Sequence, residues 1–425
     1  MTTQPPGDDP RSDIAGPPPG PSPDTGEQLV PERRMVRDLW LVLLASIIGL
    51  FPFTVYSTFL VPIAAAARAP EEGIGFLRGL GGLAALLAGI TLAPLITRWA
   101  RNRVAAAGLV LLAIASAVAT TGTVAALTVF CLGIGLATAV LTPALLTTAT
   151  SRFTGTGNIG RAATMVTATQ SLAAVFAGPI IGALGVWYGW QGALWITAAV
   201  SAAVAYGFLR GRGRKQDRSQ ASTGAPPGYA ASFRALRARP VLLALIVIAA
   251  LRTASFMGYL AFLAAFYHDE FELSAATFTL VWTLSGSSFF LGNYLTGRWV
   301  RDPATGAGRH PRTVLTAGLF GALVAVLGVF HIHALLPALA ATALMGFSHA
   351  VVAAQVTTLI AVRSGDLSTV AFSLNAAGMS LGVFGGALLG GFGLATAGHT
   401  GLAVALSLPT LLALLLAGSV RDPVR

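Results

Sequence analysis

Charged residues and cysteine are both scarce in this sequence of 425 residues. Only 10% of the residues are Asp, Glu, Lys or Arg, against roughly 25% in an average soluble domain. The single cysteine, Cys131, excludes an internal disulfide and a thiolate metal cluster. We also find no metal-ligand spacing, no phosphate-binding loop and no pairing of a nucleophile with a base. The sequence therefore predicts neither an enzyme nor a bound metal or cofactor.

Apolar residues are correspondingly abundant, at 55% of the chain, and the mean hydropathy is +0.74. A helix needs about 20 apolar residues to cross the ~30 Å hydrocarbon layer of a bilayer. Twelve runs approach this length, at residues 38–63, 73–96, 104–121, 123–149, 162–186, 190–209, 241–267, 275–297, 313–332, 334–361, 367–392 and 399–419. We therefore predict an all-α polytopic membrane protein whose twelve transmembrane helices are surrounded by lipid.

Basic residues are unevenly distributed between the loops. Consecutive spans alternate in direction, so the loops fall into two sets. One set holds twenty-three Arg and Lys residues, and the other holds two, Arg68 and Arg78. Because Lys and Arg accumulate in cytoplasmic loops, we expect both termini of this multi-pass protein to be cytoplasmic. The ratio of 26 Arg to one Lys is typical of a GC-rich bacterial gene, so we expect a bacterial plasma membrane. The net charge of +11 then reflects topology and does not predict a nucleic-acid partner.

Composition also divides the chain. Residues 1–34 hold nine of the 23 prolines and little apolar surface, which predicts a disordered cytoplasmic tail. The longest internal loop, 211–239, is basic and rich in Gly, Ser and Pro. It indicates a linker between an N-terminal six-helix bundle at 35–210 and a C-terminal six-helix bundle at 240–420. Residues 421–425 are predicted to form a second cytoplasmic tail.

Two motifs recur in the second half of the chain. An aromatic triplet of the first span returns 203 positions later in the seventh, and an Arg-Trp-x-Arg loop after the second span returns 200 positions later after the eighth. The paired residues are Phe53, Tyr56 and Phe59 with Phe256, Tyr259 and Phe262, and Arg98 and Arg101 with Arg298 and Arg301. These repeats predict two pseudo-symmetric bundles with a ligand site between them, near the midplane of the membrane.

Three motifs resemble those of a known family. Residues 93–102, APLITRWARN, match the arginines of its Gly-x-x-x-Asp-Arg-x-Gly-Arg-Arg signature. Residues 178–183, GPIIGA, are similar to its Gly-Pro-x-x-Gly-Gly element, and Gly133-Ile-Gly135 is similar to the start of a further motif. With the topology, the likeness extends over residues 35–420. The chain resembles the major facilitator superfamily, and within it the twelve-span drug:proton antiporters of bacteria.

This resemblance implies the major facilitator fold, transport by alternating access, a small-molecule substrate and a functional monomer. It also implies export in exchange for protons. However, all sixteen carboxylates lie outside the interiors of the apolar runs, and Val129 stands where the family has an arginine associated with proton transfer. Proton-driven transporters commonly place Asp, Glu or His along the pathway. Proton coupling is therefore implied by the family alone.

Arg252 is the strongest candidate for a binding residue. It lies eleven residues after Val241, which puts it about 17 Å into the membrane at ~1.5 Å per residue. A guanidinium can hold a carboxylate or phosphate at two points. With no acid inside a span to pair with it, its counter-ion is expected to be the substrate. The alternatives are a structural role, in which Arg252 bonds backbone carbonyls or reaches water, and a role in gating or coupling.

Other polar and aromatic residues inside the spans are weaker candidates. His349 is the one histidine near mid-depth, and it either carries a proton or packs as a hydrogen-bonded side chain. The amides either orient a ligand or bond between helices, and the aromatic stripes either line an apolar pocket or pack. The candidate ligand contacts are Arg252, Phe53, Tyr56, Phe256, Tyr259, Gln170, His349 and Asn375.

A second group of residues is predicted to act in conformational change. Proline removes one helical hydrogen bond and glycine permits close approach of helices, so the Gly-Pro element of the fifth span either bends as the halves rock or forms a static kink. The arginines of the paired loops either hold contacts at the inner face or only set topology. This group is Gly178, Pro179, Gly182, Arg98, Arg101, Arg298 and Arg301.

Taken together, these residues predict a secondary transporter that exports a small amphiphilic molecule, drug-like or a secondary metabolite, with an anionic group to meet Arg252. Two alternatives stay open. One is uptake or facilitated exchange of an organic anion, which fits the missing carboxylates. The other is a ligand sensor with a transporter-like fold, which would be expected to carry a large cytoplasmic extension.

Overall fold

The computed structural model describes residues 29–96, 99–210, 234, 236–299 and 308–420. Most of the two predicted tails and of the predicted linker lies outside these residues. The helices of the N-terminal half are α1 (Glu32–Ile48), α2 (Phe51–Thr58), α3 (Leu60–Ala67), α4 (Glu71–Ile96), α5 (Arg101–Ala119), α6 (Val124–Thr150) and α7 (Thr156–Arg210). Those of the C-terminal half are α8 (Pro240–Phe271), α9 (Ala275–Trp299), α10 (Pro311–Val329), α11 (Leu335–Ser364) and α12 (Ser368–Ala417).

The predicted all-α fold is confirmed in the described residues. Nine helical stretches in the described residues are long and apolar enough to cross a membrane. Two of these, in α7 and α12, each contain a break in helical geometry, at Gly189 in the first case and at Ala397 and Gly398 in the second. If each broken helix is counted as two and α9 is added, twelve helical segments match the predicted runs.

The first predicted span is less regular than its apolar run suggests. The run at 38–63 is divided into α1, α2 and α3, with interruptions at Gly49–Leu50 and at Phe59. Pro52 lies in the first turn of α2, where its missing N–H is tolerated because this position needs no intrahelical donor. The segment ends at Arg68, which has a left-handed conformation with φ 52°.

The two halves pack tightly through pairs of helices that come from opposite bundles. α4 packs on α12, α7 packs on α9, and α2 and α3 pack on α8. A Cβ atom added at Gly82 of α4 would lie 2.5 Å from the Ser380 carbonyl oxygen of α12. One added at Gly286 of α9 would lie 2.6 Å from the Ala174 carbonyl oxygen of α7. Glycine is therefore required at both crossings, because any side chain would separate the backbones.

These close crossings have a common location along the helices. We call the end of the bundle where α4 begins the Glu71 end, and the end where α7 terminates the Arg210 end. Gly82 and Gly286 lie near the middle of α4 and α9. A Cβ atom added at Gly75 would overlap the Phe262 ring, and the ideal Cβ of Gly391 lies 3.2 Å from the Glu72 carbonyl oxygen. The halves are thus in close contact from mid-depth to the Glu71 end.

One sequence prediction about topology is wrong. Arg78 was expected in a loop, together with Arg68, but it lies inside α4 and is only 7% exposed. Arg68 does lie at a helix end and is exposed. Arg78 was assigned to its nearest loop because it lies only seven residues after the start of α4.

Candidate functional site

Arg252 is buried within α8, as predicted from its depth in the seventh span. It is 5% exposed, and its Nη2 donates a hydrogen bond to Thr253 Oγ1 at 3.1 Å. Thr253 in turn donates to the Ala249 carbonyl oxygen of its own helix. Among the described residues, Arg252 makes no other hydrogen bond and no ion pair. A central arginine costs at least ~2.5 kcal/mol on membrane-insertion scales, so this guanidinium requires an anionic or polar partner.

Phe256 and His349 lie beside Arg252. Phe256 is one helical turn further along α8, so the two side chains project from the same face. The Phe256 ring stacks on the His349 ring of α11, with the centroids 4.9 Å apart, and on the Phe289 ring of α9 at 5.5 Å. His349 is 0% exposed, and neither of its ring nitrogens has a hydrogen-bond partner among the described residues. The described residues therefore provide no hydrogen-bond partner for His349 as a packing side chain.

Further buried polar groups in the C-terminal half lack partners. In the described part of the chain, Gln355 is 0% exposed and neither its Oε1 nor its Nε2 atom is hydrogen-bonded. The Asn375 Oδ1 and Ser255 Oγ atoms are also buried without a partner, while Asn375 Nδ2 contacts Met379 Sδ at 3.6 Å. Buried polar atoms are nearly always hydrogen-bonded in folded proteins. Their concentration around α8, α11 and α12 is typical of a site for a polar ligand or water.

Arg78 is a second buried arginine, contributed by the N-terminal half. Its Nη1 donates a hydrogen bond to the Met257 carbonyl oxygen of α8 at 3.0 Å, and its guanidinium carbon lies 5.7 Å from the centroid of the Phe53 ring. Such a placement is a cation–π contact. Arg78 and Arg252 are the only fully charged side chains among the buried described residues. No carboxylate is present among the buried described residues to balance these two positive charges.

The two tyrosines of the repeated triplets have equivalent bonding. Tyr56 donates its hydroxyl to the Ile74 carbonyl oxygen of α4 at 2.7 Å, and its ring stacks on Phe130. Tyr259 donates to Thr342 Oγ1 of α11 at 3.0 Å. Each hydroxyl thus connects two helices of its own half. Phe53 and Phe256, the first residues of the triplets, are the ones that lie beside Arg78 and His349.

Gln170 lines a different space from this cluster. It lines a small cavity of about 50 Å³ between α1, α6 and α7, together with Ser46, Thr138 and Thr142. The lining is partly polar, and the volume is sufficient for a few water molecules at most. The structure therefore brings Arg252, Phe256 and His349 together but places Gln170 in a separate cavity of the N-terminal half.

The Gly-Pro element of the fifth span lies at a contact between the halves. A Cβ atom at Gly178 would lie 2.6 Å from the Thr279 carbonyl oxygen of α9, and one at Gly182 would lie 2.5 Å from Thr279 Oγ1. Pro179 is inside the continuous helix α7, whose one break is at Gly189. The element that resembles the family motif thus allows α7 to approach α9 across the interface.

Two arginines of the paired loops, Arg101 and Arg298, lie at the Arg210 end. Arg101 begins α5, and Arg298 lies near the end of α9 with its guanidinium carbon 4.3 Å from the centroid of the Tyr294 ring. Arg98 and Arg301 lie outside the described residues. Arg101 and Arg298 are distant in sequence from the buried cluster. Their role at the inner face stays a prediction.

Sequence reasoning missed Arg78 as a candidate site residue. A signal was available, because Arg78 lies within the second predicted apolar run, 73–96, and an arginine inside a span is a functional candidate in its own right. The contact with Met257 was not predictable, because it joins residues 179 positions apart.

Comparisons with known proteins agree with this architecture. The sequence model of the Major Facilitator Superfamily matches residues 42–364. No curated protein matches the chain. Among solved structures, a bacterial homologue of the human lysosomal transporter Spinster, in an inward-facing and unoccupied conformation, has a TM-score of 0.74 at 16% identity, over 93% of this chain and all of the other.

Two further solved structures are also similar. The nucleoside transporter NupG has a TM-score of 0.70 at 15% identity, over 89% of this chain and 98% of the other. The human organic anion transporter MFSD10 (TETRAN) has a TM-score of 0.60 at 20% identity, over 91% of this chain and all of the other. At these identities the likeness concerns the fold, whereas the family match extends over most of the chain. The chain therefore belongs to the Major Facilitator Superfamily and is a transporter, not an enzyme.

Proposed function

We propose that this protein is a secondary transporter that works by alternating access. Its proposed substrate is a small amphiphilic molecule with a negative charge, and the proposed direction of transport is out of the cell. The observation that carries this proposal is the environment of Arg252. Its guanidinium is buried in α8 beside Phe256 and His349, and the described residues provide no carboxylate to pair with it. An anionic group on the substrate would supply the missing counter-charge, and the aromatic rings would contact the apolar part.

The direction of transport depends on the orientation of the bundle. The excess of arginines in one set of loops supports an orientation in which the Arg210 end faces the cytoplasm. Under this orientation, the tight packing of α4 on α12 and of α7 on α9 closes the outer side. The present structure would then be an inward-facing state, ready to take its substrate from the cytoplasm.

His349 is the residue that we propose as the carrier of a coupling proton. Its ring is fully buried, has no hydrogen-bond partner in the described part of the chain, and stacks on Phe256 next to Arg252. An imidazole can gain or lose a proton near physiological pH. A proton on His349 and an anion at Arg252 would affect one another electrostatically, which would couple proton release to substrate binding.

Uptake or facilitated exchange of an organic anion is the second candidate function. The absence of carboxylates from the interiors of the spans supports it, because no acidic proton carrier is then available. The fold-level likeness to a protein described as a human organic anion transporter is compatible with the same substrate charge. A ligand sensor that does not transport remains the third possibility.

The proposal can be tested by untargeted mass spectrometry of medium and cytosol. Cells would express the wild type, Arg252→Ala, Arg103→Ala or no copy, at matched amounts of membrane-inserted protein. Arg103 is an exposed arginine in the first turn of α5 and serves as the matched control. We expect an anionic compound to accumulate in the medium only with the wild type and Arg103→Ala. Accumulation in the cytosol would indicate uptake, and no dependence on the protein would favour the sensor.

A further inference from the structure

The two buried arginines come from opposite halves of the protein and approach the same segment of α8. Arg78 of α4 is hydrogen-bonded to the Met257 carbonyl oxygen, and Arg252 lies five residues before Met257 on α8. Five residues correspond to a rise of about 7.5 Å along a helix. The segment of α8 just beyond Arg252, toward the Glu71 end, is therefore contacted by a second guanidinium that belongs to the other half.

Each arginine is also close to the equivalent phenylalanine of the repeated triplets. The Arg78 guanidinium lies over the Phe53 ring, and Arg252 lies one turn before Phe256 on α8. Phe53 and Phe256 correspond to one another in the repeat, 203 positions apart. Each half thus has an arginine near the first phenylalanine of its triplet, through a contact of α4 with α2 in one half and through one turn of α8 in the other.

The Arg78 hydrogen bond is made to a group that moves with the other half. Its acceptor, the Met257 carbonyl oxygen, belongs to α8, whereas Arg78 belongs to α4. When the halves separate at the Glu71 end, this hydrogen bond must break. Arg78 would then have only the weak contact with Phe53 in its own half, and its N–H donors would be available to an anion in the space between the halves.

We propose that Arg78 and Arg252 form one binding site for a substrate with two negatively charged groups, each held by a guanidinium from a different half. This inference rests on the proposed function, because it presupposes that Arg252 binds an anion. In the present state Arg78 donates a hydrogen bond to the Met257 carbonyl oxygen. In the state open at the Glu71 end, Arg78 exchanges this carbonyl for the second anionic group of the substrate.

The test compares dicarboxylates with monocarboxylates of equal length. Full-length protein in lipid nanodiscs would be titrated with succinate, adipate and suberate, and with butyrate, hexanoate and octanoate, at matched ionic strength. The shift in Tm would give an apparent affinity for each. The variants are Arg78→Gln, Arg252→Gln and, as an exposed control, Arg103→Gln. The three chain lengths sample different separations of the two anionic groups.

We expect the wild type to bind at least one dicarboxylate more tightly than its monocarboxylate. Arg78→Gln should weaken that dicarboxylate about tenfold and leave the monocarboxylate nearly unchanged, while Arg252→Gln should weaken both. Equal effects of Arg78→Gln on both classes, or no preference in the wild type, would overturn the two-arginine site. If monocarboxylate binding still depends on Arg252, loss of the two-arginine site leaves the proposed function intact. If no anion binds, the two-arginine site and the proposed function are both contradicted.

Arg78→Lys is the second variant if Arg78→Gln does not give a monodisperse protein. It keeps the charge and the length of the side chain but loses the planar fork of donors. We expect a weaker preference for the dicarboxylate with an unchanged monocarboxylate affinity. An unchanged preference in Arg78→Lys, with the fold intact by size-exclusion chromatography, would show that the Arg78 guanidinium does not hold the second anionic group and would overturn the proposal.

Discussion

Arg78 Nη1 donates a hydrogen bond to the Met257 carbonyl oxygen at 3.0 Å, and this bond joins α4 of one half to α8 of the other. Because the acceptor is a backbone atom, substitution of the Met257 side chain would not remove this hydrogen bond. The contact requires α4 and α8 to be adjacent at this point, as they are in the present arrangement of the halves. It therefore links the position of a buried charge to the conformational state of the transporter.

Arg252→Lys and Arg252→Gln should differ in transport. Lysine keeps the charge but loses the two-point donor fork, and glutamine loses both. For the compound whose distribution depends on the wild type, we expect transport to fall about tenfold with lysine and to background with glutamine. The measurement is the initial rate of appearance of that compound per amount of folded protein. Wild-type rates in Arg252→Gln would exclude a binding role.

His349→Leu should stabilise the protein and impair coupling. The substitution removes two buried nitrogens that have no hydrogen-bond partner among the described residues, and an unsatisfied buried polar atom costs about 1–3 kcal/mol. We expect the Tm of the purified variant to rise by about 2 °C or more. A lower Tm would indicate that the imidazole has a stabilising partner.

The functional effect of His349→Leu has its own readout. In cells, the pH gradient would be removed with nigericin while transport is followed. We expect this treatment to slow transport by the wild type and to have no effect on the residual transport by the variant, because leucine cannot carry a proton. An equal response of both proteins would exclude His349 as the coupling residue.

Gly286→Ala and Gly297→Ala provide a matched pair in α9. A Cβ atom at Gly286 would lie 2.6 Å from the Ala174 carbonyl oxygen of the other half, whereas a Cβ atom at Gly297 would have no heavy atom within 4 Å. Overpacking costs about 1–3 kcal/mol. We expect Gly286→Ala to lower Tm and slow transport, and Gly297→Ala to leave both unchanged. Similar behaviour of the two variants would contradict the close crossing of α7 and α9.

Tyr56→Phe and Tyr259→Phe test whether these hydroxyl groups act in packing or in binding. Each variant removes one hydrogen bond within a half, worth about 1 kcal/mol. Tyr259→Phe should be the milder change, because Thr342 keeps its contact with the Tyr267 hydroxyl. We expect a lower Tm in both with an unchanged transport rate per folded protein. Loss of transport at an unchanged Tm would instead place the hydroxyl in contact with substrate.

Much of the fold could be predicted because membrane spans are encoded locally. The predicted run at 241–267 lies within α8 (Pro240–Phe271), and the run at 123–149 nearly coincides with α6 (Val124–Thr150). A length of apolar sequence is a sufficient signal for such a helix. The interruption of the first span at Gly49 and at Phe59 was not predicted, because an apolar run does not show where a helix within it breaks.

The candidate site was only partly predictable. The depth of Arg252 follows from the rise per residue of a helix. The placement of Phe256 and Tyr259 on one helix face follows from their spacing of three residues. The stacking of Phe256 on His349 joins residues of two distant helices, and no local pattern encodes such a contact. For the same reason, the placement of Gln170 in a separate cavity became visible only in the folded protein.

Binding of an anionic substrate at Arg252 requires that this side chain faces a space that substrate and water can enter. The most direct test replaces the native cysteine by Cys131→Ser and introduces either Arg252→Cys or Val247→Cys. Val247 is an exposed, apolar position on the same helix. Native membranes would be treated with an anionic, membrane-impermeant methanethiosulfonate reagent, and labelling would be measured by mass spectrometry. The account predicts rapid labelling of Arg252→Cys and little labelling of Val247→Cys, whereas equally slow labelling of both would contradict it.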